Sequence, residues 1–190
     1  MKGPSGGAAQ GPVRVPPIGD WNRLLEGRVA VVTGGGVGIG GAISRLFAQH
    51  GALVEIVEID PERASAAVDA IEAIGGTARA HVVDVASDAE VEDLRVAVVG
   101  EHGRVDVLVN NVGDYRPLVR FHESTPESWQ AMYSTNLEHV FRVTRAFLEP
   151  MVEGGGGSIV NVHSVEGMRG FPGEPVYAAM KAAVAHFTTS

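Results

Sequence analysis

The sequence predicts a doubly wound α/β domain, an open parallel sheet with helices on both faces and three layers in all. Three observations predict it. Short β-branched apolar runs alternate with helical stretches from Arg28 onward, which implies right-handed crossovers between parallel strands. The runs are near-continuous rather than alternating, as in strands buried on both faces. A glycine-rich turn, Thr33-Gly34-Gly35-Gly36-Val37-Gly38-Ile39-Gly40, stands where the first strand gives way to the first helix.

Residues 1–24 hold five glycines and four prolines without an apolar period, so a mobile tail is expected ahead of a domain over 25–190. The strand candidates are Val29–Thr33, Leu53–Val57, Ala78–Val83, Val105–Asn110 and Ser158–His163. The first helix, Gly38–His50, carries Ile39, Ala42, Ile43, Leu46 and Phe47 at helical spacing. The second, Pro61–Ile74, opens on a proline and stops at Gly75-Gly76. Asp88–Glu101 follows a Ser-Asp cap, Pro126–Leu148 follows Ser124-Thr125, and a last helix begins near Glu174-Pro175.

Composition narrows the function. Apolar residues make up 45% and charged residues 20% of the 190, which suits one ordinary globular domain with a buried core. A net charge of −8 argues against nucleic-acid and anionic-membrane partners. With no cysteine there is no disulfide, thiol nucleophile or zinc–thiolate site, and the seven histidines lack metal-ligand spacing, so no metal is expected. The N-terminal residues lack a signal peptide's apolar segment and no run approaches the ~18 residues of a spanning helix. A cytoplasmic protein is the expectation.

The glycine turn carries the first chemistry. At Gly34, Gly38 and Gly40 the absence of Cβ atoms lets the backbone approach a pyrophosphate, and the helix that follows offers unpaired N–H donors. The second part of such a site is an acid at the end of the second strand, which accepts hydrogen bonds from the adenosine ribose and repels a 2′-phosphate. Glu58 and Asp60 both compete for that role, and Asp60 before Pro61 is equally a helix N-cap. Neither Val37 nor Ile59 offers a 2′-phosphate a cation, so NAD is expected over NADP.

Further along, Ser164 precedes Tyr177 by thirteen residues, and Lys181 follows Tyr177 by four, on one helix face. A phenol of pKa ~10 is a poor base at neutral pH. One cation ~4 Å away supplies roughly 4 kcal/mol toward the phenolate at an effective dielectric of ~20.

Together these segments resemble the short-chain dehydrogenase/reductase family over about Gly27 to Ser190. Thr33-Gly34-x-x-x-Gly38-Ile39-Gly40 resembles the family's cofactor turn, and Asp84-Val85 its adenine-contacting pair. Asn110-Asn111-Val112-Gly113 resembles its Asn-Asn-Ala-Gly strand end. Asn136 matches the asparagine of the long central helix, and Ser164, Tyr177 and Lys181 complete the set. The same alignment favours Glu58 over Asp60.

The resemblance implies a Rossmann fold and an NAD-dependent oxidoreductase passing hydride between a nicotinamide and a secondary alcohol or ketone. Tyr177 would act as general acid or base, Lys181 would lower its pKa and hold the nicotinamide ribose, Ser164 would bond the substrate oxygen, and Asn136 would anchor a water. It also implies a homodimer or homotetramer through the 126–148 and 175–190 helices.

Departures from the pattern come with the likeness. Glu166 and His163 stand where small residues are usual, and Asp114, Tyr115 and Arg116 suggest a polar pocket rim. The family's last strands and substrate lid have no counterpart before Ser190, so a truncated domain is expected, with Ser158–His163 as an exposed edge. That truncation favours a rival function, a non-catalytic dinucleotide-binding or interaction subunit or an inactive fragment. The intact set of Asn136, Ser164, Tyr177 and Lys181 favours the enzyme.

Overall fold

The computed structural model describes residues 21–170 and 172–190. Most of the expected tail, residues 1–20, lies outside them. Residues 21–23, also assigned to that tail, form a 3-10 turn, Trp21–Arg23.

Five strands and six α-helices follow in the order β1 (Val29–Thr33), α1 (Gly38–Gln49), β2 (Leu53–Glu58), α2 (Pro61–Glu72), β3 (Thr77–Val82), α3 (Asp88–His102), β4 (Val107–Asn110), α4 (Pro126–Tyr133), α5 (His139–Glu153), β5 (Ser158–Asn161) and α6 (Pro175–Thr188). The sheet is parallel throughout, in the order β3-β2-β1-β4-β5. β1 is central and buried along its whole length. Its side chains alternate between two cores, as the pleat requires. Val29 and Val31 join Val91, Leu94 and Val98 of α3 and Val143, Phe147 and Met151 of α5. Ala30 and Val32 join Ala48 of α1 and Ile71 of α2 on the other face.

Three expectations change. The edge strand β3 is only half-buried, with Arg79 exposed, whereas β5 has the exposure expected of an edge, at Ser158 and Val160. A strand with one neighbour and no full helical cover cannot be buried on both faces. β5 ends at Asn161 rather than His163, because the chain turns there toward a 3-10 turn at Val165–Gly167. The helix expected over Pro126–Leu148 is two helices, α4 and α5, joined by a π turn at Ser134–Glu138, and α5 runs on to Glu153.

Two buried carboxylates are held by basic groups. Glu55 of β2 is 3% exposed and receives Nε2 of His102 at 2.6 Å, with Nε2 of His81 on its other oxygen. Asp106, just before β4, accepts from Arg28 at 2.7 Å, from the Val29 N–H at 3.0 Å and from Arg104 Nε at 3.0 Å. No helix of the described residues is long and apolar enough to cross a membrane, and no group of three metal-ligating side chains occurs among them.

Candidate active site

A groove of about 680 Å³ crosses the carboxyl ends of β1 and β4, where the strand order reverses. Its floor is tied together by Thr33. The hydroxyl of Thr33 accepts the Asn111 N–H at 2.9 Å and donates to the Val109 carbonyl at 3.3 Å, while Asn111 Nδ2 donates to Thr33 O at 3.0 Å. The glycine turn after β1 is anchored from three sides. Gly35 N donates to Val57 O at 3.2 Å, Ser44 Oγ donates to Gly35 O at 3.0 Å, and Gly36 N donates to Glu58 Oε2 at 3.3 Å. α1 begins with Val37 as its N-cap, which offers no side-chain acceptor, so its first N–H groups keep their capacity to bind an anion.

The groove brings together Gly34, Ile39, Glu58, Asp84, Val85, Val112, Gly113, Ser164, Tyr177 and Lys181. Four other expected residues lie outside its lining. Gly38 supports the turn with φ +58, a left-handed conformation that suits glycine. Gly40 packs against it, since a Cβ there would meet Gly34 O at 2.1 Å. Asn110 turns into the interior, where its Nδ2 donates to Thr144 Oγ1 at 3.0 Å and Asn161 Oδ1 at 2.8 Å. Asn136 is fully buried, and its side chain clamps the backbone of Asp114, accepting from its N–H at 3.1 Å and donating to its carbonyl at 2.8 Å. That clamp sets the position of the loop after Gly113.

The two acids stand in different places. Glu58 is 6% exposed and lines the groove. Asp60 caps α2 instead, accepting from Glu62 N at 2.9 Å and Arg63 N at 3.2 Å. Arg63 itself lines the groove beside Glu58, a cation missed when only Val37 and Ile59 were weighed, and it lies 3.4 Å from Asp60. Its position one helical turn after the cap was the available signal.

Lys181 is buried at 3% exposure, and its ammonium donates to Val162 O at 3.1 Å and lies 6.0 Å from the Tyr177 ring centroid. Burial pushes its pKa down from the ordinary lysine value. Ser164 accepts the Glu166 N–H at 3.2 Å. Tyr115 meets Tyr177 edge-to-face at 6.2 Å, and Arg116 is bound to Asp114 at 2.8 Å, so the expected polar rim holds its own charges in a pair. A second cleft, of about 230 Å³, opens beyond Tyr177 between the 114–119 loop, α4 and the start of α6. On α5 and α6, Phe141, Leu148, Val152 and Phe187 form an exposed apolar face, with the two phenylalanine rings 4.9 Å apart.

The groove fits a dinucleotide: a glycine turn and uncapped helix start at one side, an acid at the second strand's end, and a tyrosine and a lysine at the other side. Comparison with known proteins agrees. The chain is 40% identical to the 3-oxoacyl-[acyl-carrier-protein] reductase of Chlamydia muridarum over 170 residues, covering 88% of this chain and 67% of that protein. It is 42% identical to the protein of the same name from Thermotoga maritima over 166 residues, covering 86% and 66%. The chain thus spans about two thirds of the length of these relatives.

Among solved structures, a metagenomic short-chain oxidoreductase in complex with NADP superposes with a TM-score of 0.82 at 34% identity, covering 87% of this chain and 75% of that one. A 7α-hydroxysteroid dehydrogenase complexed with NADH and 7-oxo glycochenodeoxycholic acid superposes with a TM-score of 0.82 at 32% identity, covering 87% and 64%. The family model for short chain dehydrogenases matches residues 28–190, and the chain belongs to that family.

Proposed function

We propose that the protein is an oxidoreductase that moves a hydride between NAD and a small secondary alcohol or ketone. The observation that carries this is the convergence of Tyr177, Lys181 and Ser164 on the groove that also holds Glu58 and the glycine turn. A bound nicotinamide dinucleotide supplies or accepts the hydride. The chain's own groups position the reactants and handle the proton. Tyr177 gives its proton to the carbonyl oxygen in reduction and takes it from the carbinol in oxidation. The Lys181 ammonium, one helical turn along the same face, favours the phenolate and holds the ribose next to it. Ser164 donates a hydrogen bond to the substrate oxygen. Asn136 fixes the loop from Gly113 to Asp114, which carries one wall of the groove.

The reading of NAD over NADP rests on Glu58, since an acid at the end of the second strand would accept from ribose hydroxyls and repel a 2′-phosphate, and the nearby Arg63 is engaged by Asp60. The related structures hold either cofactor, so the preference rests on Glu58. The apolar face of α5 and α6 supports self-association of the chain, which sedimentation velocity would detect.

The test is direct. NADH and NADPH are titrated into the chain by fluorescence, and secondary alcohols are then screened with NAD, with Tyr177→Phe as control. Turnover abolished by Tyr177→Phe supports the enzyme. Cofactor binding without turnover of any alcohol makes the protein a dinucleotide-binding module.

A further inference from the structure

The cleft beside Tyr177 is walled in large part by apolar side chains, including Pro117, Val119, Met132 and Val176, and two acids break that wall, Asp114, which is paired with Arg116, and Glu174. Glu174, the residue just before α6, lines this cleft together with Tyr177. It is 8% exposed. It is the N-cap residue of α6, yet its side chain makes no capping hydrogen bond. Its carboxyl has no ion-pair or hydrogen-bonding partner among the described residues, and neither oxygen is sealed from solvent. The neighbouring cation does not serve, since Arg116 gives Nε and Nη2 to Asp114 at 3.0 and 2.8 Å. Burial and the nearby Glu166 push the Glu174 carboxyl upward from its ordinary range. In either protonation state it keeps an acceptor oxygen. A carboxyl with these properties is matched by a donor that arrives with the substrate.

We propose that Glu174 is a specificity residue, selecting substrates that carry a hydroxyl or ammonium donor close to the reacting carbon, as in vicinal diols, α-hydroxy ketones and 1,2-amino alcohols. The assignment rests on the oxidoreductase reading of the site. It also disfavours anionic substrates, because the acid leaves the cleft without a free positive group.

The experiment uses the full chain saturated with NADH, which forms a ternary complex with an alcohol but cannot oxidise it. Titrations follow NADH fluorescence with 2,3-butanediol, 1-amino-2-propanol and 2-butanol. The diol and the amino alcohol are each expected to bind about tenfold more tightly than 2-butanol, as one hydrogen bond to a carboxylate supplies. Glu174→Ala is expected to bring both ratios to about one, with NADH affinity unchanged. Glu174→Gln keeps an acceptor without the charge, so it should retain most of the diol preference and lose that for the amino alcohol. Equal binding of all three by the wild type, or preferences that survive Glu174→Ala, overturn the proposal. A chain that shows these ratios yet transfers no hydride supports Glu174 as the selecting residue and overturns only the catalytic reading. A chain that binds no NADH overturns both.

Discussion

The backbone N–H of Gly36 donates to the Glu58 carboxylate at 3.3 Å, joining the turn after β1 to the end of β2. A Cβ on Gly36 would stand 2.8 Å from that oxygen, so the turn and the acid fit only as a pair. Glu58→Ser is expected to weaken NADH binding about tenfold, by loss of hydrogen bonds to an ionised acceptor. NADPH binding should hold or improve, since the repelling charge is gone. Parallel fluorescence titrations check this, and an unchanged ratio of the two affinities would remove Glu58 as selector.

Two glycines of the same turn should differ in their tolerance of a methyl group. At Gly38 nothing lies within 4 Å of an added Cβ, and only the φ of +58 opposes it. Gly38→Ala should therefore cost about 1–2 kcal/mol, the strain of one left-handed non-glycine residue. At Gly40 the added atom would stand 2.1 Å from Gly34 O, a backbone atom that cannot move alone. Gly40→Ala should reduce NADH binding beyond detection and lower stability more than Gly38→Ala. Urea denaturation of the two variants side by side decides it.

His139 of α5 is 1% exposed, and its ring nitrogens make no well-formed hydrogen bond among the described residues, only weak approaches to the backbone of Val112 and Thr135. Burial, with the nearby Lys181 charge, pushes its pKa from 6.5 down to about 4. Between these values the unfolded chain binds a proton that the folded chain refuses, so stability rises with pH across the window. The contribution is fully present above pH 6.5 and lost toward pH 4, amounting to about 3 kcal/mol. His139→Leu should flatten this part of the profile and be more stable than the wild type at pH 5. Unfolding free energies of both proteins from pH 4.5 to 7.5 test it, and parallel profiles would refute it.

Glu55 acts in the same sense as His139, at lower pH. Burial raises its pKa, but the hydrogen bonds from His81 and His102 outweigh that and hold it below the ordinary 4.5. Its stabilisation is present above pH 4.5 and disappears as the pH falls through the lowered folded value. Glu55→Gln should cost roughly 1–3 kcal/mol at pH 7, the cost of a buried charged acceptor lost between two donors. The difference from the wild type should shrink at pH 3.5. Urea titrations at the two pH values measure it.

Much of this architecture was legible in the sequence where local chemistry and tertiary demand agree. Val29–Thr33 is apolar at every position because it is the central strand, and its bounds match the prediction. The glycine turn, the Pro61 start and the Ser87 cap are read from short-range rules. What was not legible depends on neighbours. Thr77–Val82 looks different from a buried strand only once it is known to be at an edge. Asn110 and Asn111 are adjacent, and only the pleat decides that the first faces the interior and the second the turn. The π turn in the long helix has no composition signal, and Glu174 reads as an ordinary helix start until its carboxyl is found without a cap.

The π turn at Ser134–Glu138 acts as a phase adjuster. One extra residue in a helical path rotates everything beyond it by ~100° about the axis. α4 can thus present Ser128, Ala131 and Met132 to the cleft beside Tyr177 while α5 presents Val143, Phe147 and Met151 to the sheet, although the two form one rod. A chain shortened by one residue at this point would regain a regular helix and forfeit that independence. Either the cleft wall or the core side would then face the wrong way, and Asn136 would be carried off the loop it clamps.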